Sequence, residues 1–66
     1  MKIIKIARIK KDLTQKQLGE LLKMSPATIN RIETGIKPIE SIKVGDLKRI
    51  CNALDIDMQE LLQIKG

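Results

Sequence analysis

The chain has 66 residues, with 13 Lys or Arg against 8 Asp or Glu, no histidine, no aromatic residue and a single cysteine, Cys51. That length holds one small domain, expected to span residues 1–66 and to bury only about 60% of the surface of its unfolded chain. The composition excludes an intrachain disulfide, Cys/His metal cages, Ser-His-Asp and Cys-His nucleophiles, and aromatic platforms for single-stranded nucleic acid.

The formal charge of +5 is unevenly spread. Residues 1–45 carry ten basic and four acidic groups, and residues 46–66 carry three and four. A basic N-terminal two-thirds points to a polyanionic partner on one side of the fold, or else to a solvated surface kept soluble by charge. No apolar run approaches the ~18 residues that span a bilayer. The start, Met1-Lys2-Ile3-Ile4-Lys5-Ile6-Ala7-Arg8, is interrupted by charge too often for a signal-peptide core. The cytoplasm is the expected location and no membrane partner is expected.

In chain order, residues 3–11 read as a first helix, with Ile4, Ala7 and Lys11 on one face and Ile3 and Ile6 beside it. Thr14 and Gln17 have the spacing of a capping box, with Leu13 and Leu18 as its hydrophobic staple, so a second helix opens there and runs to about Leu22. Its apolar residues are Leu18, Leu21 and Leu22. Ser25 caps a third helix with Pro26 at its first position, where a missing N–H costs nothing. Met24 and Ile29 form the next staple, and Gly35 ends the helix. Residues 35–43 read as a loop in which Lys37–Val44 alternates weakly. A fourth helix covers about 43–54, with Val44, Leu47, Ile50, Cys51 and Leu54 on its apolar face. Asp57 caps a fifth, stapled by Ile56 and Leu61 and running to about Ile64. The expected fold is all-α, with five short helices.

Helices two and three carry the functional signal. Only Lys23 and Met24 separate one from the cap of the next, and so short a turn fixes the crossing angle, as in a helix-turn-helix. Gly19 in mid-helix costs about 1 kcal/mol relative to alanine and makes sense where another helix crosses closely. Leu18, Met24, Ile29 and Ile32 have the spacing to close the inner side. The outer side of helix three keeps Ala27, Thr28, Asn30 and Arg31, which are short or polar and suited to base edges. An αα-hairpin with a polar outer face is the alternative at this point.

The chain resembles the Cro/repressor-type helix-turn-helix family, also called the Xre family, from about Ile4 to Leu62. The resemblance rests on Arg8, Leu13-Thr14-Gln15-Lys16-Gln17-Leu18-Gly19, Met24-Ser25, Thr28-Ile29-Asn30-Arg31-Ile32-Glu33 and Gly35. Farther on, Leu47, Ile50-Cys51, Ala53-Leu54 and Leu61-Leu62 also match. Each piece is weak alone, and their joint order and spacing are specific. The chain departs from the family in four places. Gly19 stands where alanine is usual, and Lys23 where glycine is usual. The segment after Gly35 is longer than is typical. Pro26 and Ala27 replace long polar base-reading side chains.

The resemblance implies a lambda-repressor-like DNA-binding domain whose third helix enters the major groove of double-stranded DNA. Thr28 is then expected to hydrogen-bond a base or touch a thymine methyl, and Arg31 has the reach to hold guanine O6/N7 bidentately. Ala27 and Pro26 offer apolar contact alone, and Asn30 faces a base or the backbone. Gln15 at the start of helix two is expected on a phosphate, with Lys5, Arg8, Thr34 and Lys37 as further phosphate contacts. Arg8 and Glu33 are also expected to pair between helices one and three. No catalytic residue, metal site or cofactor is expected. The function implied is a sequence-specific transcription regulator, the alternative being an antitoxin-like or controller-type protein whose main partner is another protein. One recognition helix reads few base pairs, so a homodimer on an inverted repeat is expected. Met58 and Ile64 are its interface residues, with Leu61 and Leu62 assigned to the core.

Overall fold

Three helices are opened by side-chain hydrogen bonds and four are closed by left-handed residues. In the computed structural model, which describes residues 2–63, α1 is Lys2–Lys10, α2 Gln15–Leu22, α3 Pro26–Thr34, α4 Val44–Leu54 and α5 Met58–Gln63. The chain is all-helical among the described residues, in agreement with the sequence reading.

Two of the starts are local and were legible. Thr14 Oγ1 accepts the Gln17 N–H at 3.0 Å, and the Thr14 N–H donates to Gln17 Oε1 at 2.9 Å, which closes the capping box of α2. Ser25 Oγ accepts the Thr28 N–H at 3.1 Å and opens α3, with Pro26 in its first turn. The weaker start of α5 has Asp57 Oδ1 accepting the Gln59 N–H at 3.4 Å.

The ends are less expected. Helices α1, α2 and α4 each stop at a non-glycine residue with positive φ: Asp12 at 55°, Lys23 at 57° and Asp55 at 54°. At each, the next residue's N–H reaches back five positions, as in Met24 N–H to Gly19 O at 2.8 Å. These are Schellman-type ends, which satisfy carbonyls the helix leaves over. Aspartate tolerates the left-handed region through local hydrogen bonding, whereas a lysine there is strained by about 1 kcal/mol or more. Lys23→Gly is therefore expected to stabilise the fold by about 1 kcal/mol. The readout is a higher urea midpoint at unchanged slope. An unmoved midpoint would show that the lysine bears no strain.

Gly19 sets how closely α3 follows α2. A Cβ built there would lie 2.4 Å from the Met24 carbonyl oxygen, so the turn backbone occupies the space of a side chain. Alanine, usual in the family, would force the turn outward.

The core is aliphatic apart from one thiol. Ile4, Leu18, Leu22, Ile29, Ile32, Ile42, Leu47, Ile50, Cys51, Leu54, Ile56 and Leu61 are buried, with Leu13, Met24 and Met58 packed partly against them. Burial and then the Asp57 carboxylate push the Cys51 thiol above its ordinary pKa, which keeps it protonated and unreactive.

Two apolar assignments are corrected, those of Val44 and Leu62. Val44 is 64% exposed, because the first turn of α4 overhangs the core that Leu47 enters. Leu21 is exposed, lying well off the stripe that Leu18 and Leu22 bury. Leu62 is 50% exposed rather than core, since Leu61 takes the inward position of α5. Met58, expected at an interface, is half-buried against the core. Ile64, the other expected interface residue, lies outside the described residues. The weakly alternating segment forms a single 3-10 turn at Ile39–Ser41, after which Ile42 drops into the core.

Candidate nucleic-acid interface

Helical phase divides α3 cleanly. Ile29, Ile32 and Glu33 are buried. At about 100° per residue, Ala27, Arg31 and Thr34 form the centre of the opposite side, with Thr28 on one flank and Asn30 and Pro26 on the other. All of these are exposed except Thr28, which is half-buried.

A cleft borders each flank. On the Pro26 side, a cleft of about 570 Å³ is lined by Arg8, Ile9, Asp12, Leu13, Thr14, Gln15, Lys16 and Pro26. On the Thr28 side, one of about 180 Å³ is lined by Met24, Thr28, Ile32, Lys37, Ser41, Ile42, Lys43 and Asp46. The outer face of α3 is thus a ridge between two grooves, each carrying cationic and hydroxyl or amide side chains.

Beneath the first groove lies a buried charge network. Arg8 Nε donates to Glu33 Oε2 at 2.7 Å and Arg8 Nη2 to Glu33 Oε1 at 3.3 Å, with the side chains 11% and 2% exposed. Arg8 Nη1 donates to the Leu13 carbonyl at 2.7 Å, so one guanidinium ties the α1–α2 turn to α3. Gln15 Nε2 adds bonds to Glu33 Oε1 and to Asn30 Oδ1, both at 3.2 Å. Among the described residues, no buried side-chain nitrogen or oxygen lacks a partner.

This network alters the picture drawn from the sequence. The Arg8 guanidinium is committed to Glu33 and Leu13, which leaves it a positioning role on this geometry. Gln15 stands at the groove with its amide N–H groups turned to Glu33 and Asn30, so a phosphate would have to draw one away. The Thr34 hydroxyl donates to the Asn30 carbonyl at 2.8 Å and is likewise spoken for. Lys37 lines the second groove, whereas Lys5 is exposed on α1 and lines neither.

Three groups at these grooves escaped the sequence reading. Lys16 lines the first, and Ser41 and Lys43 line the second beside Thr28. The available signal was Lys43 standing immediately before α4. A fourth, Arg49, is architectural: its guanidinium donates to the Leu22 carbonyl at the end of α2 and to Asp46 Oδ1 at 3.2 Å. It fixes α4 against the helix-turn-helix pair. Lys11 reaches Asp55 at 2.5 Å, an exposed pair that contributes little. Among the described residues there is no group of three or more metal-ligating side chains, and no helix is long and apolar enough to cross a membrane.

Two helices locked by the three-residue turn Lys23-Met24-Ser25, the second presenting a polar ridge outward, make a helix-turn-helix protein. The helix-turn-helix family model matches residues 4–61, and the chain belongs to this family, in its Cro/Xre type, whose members are DNA-binding regulators. No curated protein and no solved structure matches it significantly.

Proposed function

We propose that the protein is a cytoplasmic, sequence-specific transcription regulator that reads the major groove of double-stranded DNA with α3, as a symmetric homodimer on an inverted repeat. The observation that supports this reading is the α3 ridge between two grooves. A helix laid in the major groove has a phosphate backbone on either side, and the groove rims offer Lys16 and Gln15 to one strand and Lys37 and Lys43 to the other. Arg31, at the ridge centre, reads a guanine; Ala27, Thr28 and Asn30 read the neighbouring base edges. The dimer follows from the few base pairs one such ridge covers, with the two α3 copies about 34 Å apart. Leu62, exposed on α5, and the exposed part of Met58 are its contact residues on the described surface.

The test begins with selection of a binding site from randomised duplex DNA. Arg31→Ala is expected to flatten preference at one base pair per half-site by ~1–3 kcal/mol, whereas Lys37→Ala weakens all duplexes alike. An unchanged preferred site in Arg31→Ala would remove that residue from base reading. Sedimentation with the selected duplex checks the assembly: two chains per site are expected, and one chain at saturation rules out the dimer.

Ile6 and Ile9, exposed one turn apart on α1, favour a second reading, the antitoxin-like or controller-type protein docked on another protein. Failure to select any duplex would favour it.

A further inference from the structure

The first turn of α3 is the end of the ridge that the proposed reading sets in the groove, and two of its side chains, those of Pro26 and Ala27, carry no hydrogen-bonding group. Ala27 stands at the ridge centre, exposed, one turn before Arg31. Pro26 is exposed and has no N–H. The Ser25 and Thr28 hydroxyls bond each other at 2.9 Å, and Ser25 Oγ also takes the Thr28 N–H. That bond uses one donor and one acceptor position, so Thr28 Oγ1 keeps a proton or lone pairs for a neighbouring base edge, and the surface at the ridge centre itself is the Ala27 methyl.

The major groove displays one apolar group on unmodified bases, the 5-methyl of thymine. Cytosine methylated at C5 places the same methyl at the same site and differs beside it, with an N4 amino donor where thymine has an O4 acceptor. Telling those two apart requires a donor or an acceptor, and Ala27 has neither. Resting on the groove-reading role argued above, we propose that Ala27 reads the pyrimidine 5-methyl group itself, so that 5-methylcytosine replaces thymine at the base it covers. DNA binding then responds to cytosine methylation at that position, while Arg31 reads its guanine independently.

The test uses the duplex recovered by selection. At each thymine of the half-site, the base is replaced in turn by deoxyuridine, cytosine and 5-methylcytosine, with the matching partner on the other strand. Removing one buried methyl weakens binding about fourfold per half-site. The expected pattern is deoxyuridine about fourfold weaker than thymine, and 5-methylcytosine stronger than cytosine by the same factor. Both differences shrink in Ala27→Gly. Should Ala27→Gly lose helix, Ala27→Gln serves instead, since its amide donates and accepts and is expected to separate thymine from 5-methylcytosine. Equal binding of the methylated and unmethylated bases at every position overturns the proposal. So does a methyl effect unaltered in the folded Ala27 variant, or a Gln variant that still treats thymine and 5-methylcytosine alike. If no duplex is recovered, the DNA reading falls and this inference with it, an outcome distinct from binding that ignores methyl groups.

Discussion

Replacing Glu33 by alanine is expected to cost about 3–5 kcal/mol, the largest stability loss of any single substitution outside the aliphatic core. Glu33 accepts from both Arg8 and Gln15 at the junction of α1, α2 and α3. Without it, an 11% exposed guanidinium keeps only the Leu13 carbonyl. A 66-residue domain has a total stability of roughly 3–10 kcal/mol, so Glu33→Ala leaves little or no margin at room temperature. Arg8→Ala is expected to cost a comparable amount, since it removes the counter-charge of a buried carboxylate. The double replacement Arg8→Met with Glu33→Leu removes both charges and is expected to recover much of the loss, because burying an ion pair yields little net stability over a well-packed apolar pair. Urea unfolding of the wild type, the two alanine variants, the double alanine variant and the Met/Leu double variant checks this. A coupling energy below about 0.5 kcal/mol in the alanine cycle would mean that the two residues do not act as a unit.

Affinity for the selected duplex is expected to fall steeply with salt. Lys16, Arg31, Lys37 and Lys43 lie on or beside the α3 ridge, so a symmetric pair brings about six to eight cationic contacts to the DNA. Each neutralised phosphate releases condensed counterion, and log K is expected to fall against log salt with a slope of roughly −5 to −7. Between about 50 and 200 mM salt the loss is on the order of 10³-fold or more. Lys43→Ala should make the slope shallower by about one per subunit, and Lys5→Ala should change it less, because Lys5 lines neither groove. Fluorescence anisotropy across a salt series measures both. A wild-type slope shallower than about −2 would contradict the two-sided phosphate clamp. A Lys5→Ala effect equal to that of Lys43→Ala would place α1 against the DNA as well.

The grooves also explain why the site was only partly visible in the sequence. Ala27, Thr28, Asn30 and Arg31 follow from helical phase once Ser25 and Pro26 fix where α3 begins, and they do share the outer side. Gln15 was legible as a residue at the start of α2, but its bonds to Asn30 and Glu33 join positions 15 and 18 residues apart. Lys43 was legible only as a charge next to a helix. Its place beside Thr28 depends on the 3-10 turn and on Ile42 being drawn into the core.

By itself, the sequence determined the number and order of the helices, the capping box at Thr14, the Ser25 cap and the short turn between α2 and α3. The interactions behind these span three or four residues, and the chain makes them wherever it lies. The aliphatic composition likewise determined a core of Ile and Leu. The tertiary structure alone decided that Val44 and Leu62 stay outside, since a residue at a helix end is buried only if another element covers it. It alone decided that Arg49 holds the end of α2, across 27 positions, whereas the Arg8–Glu33 pair, across 25, was expected from the family resemblance and not from any local pattern. Such contacts form only once packing has brought distant helices together, and no local pattern encodes which of the available partners will be nearest.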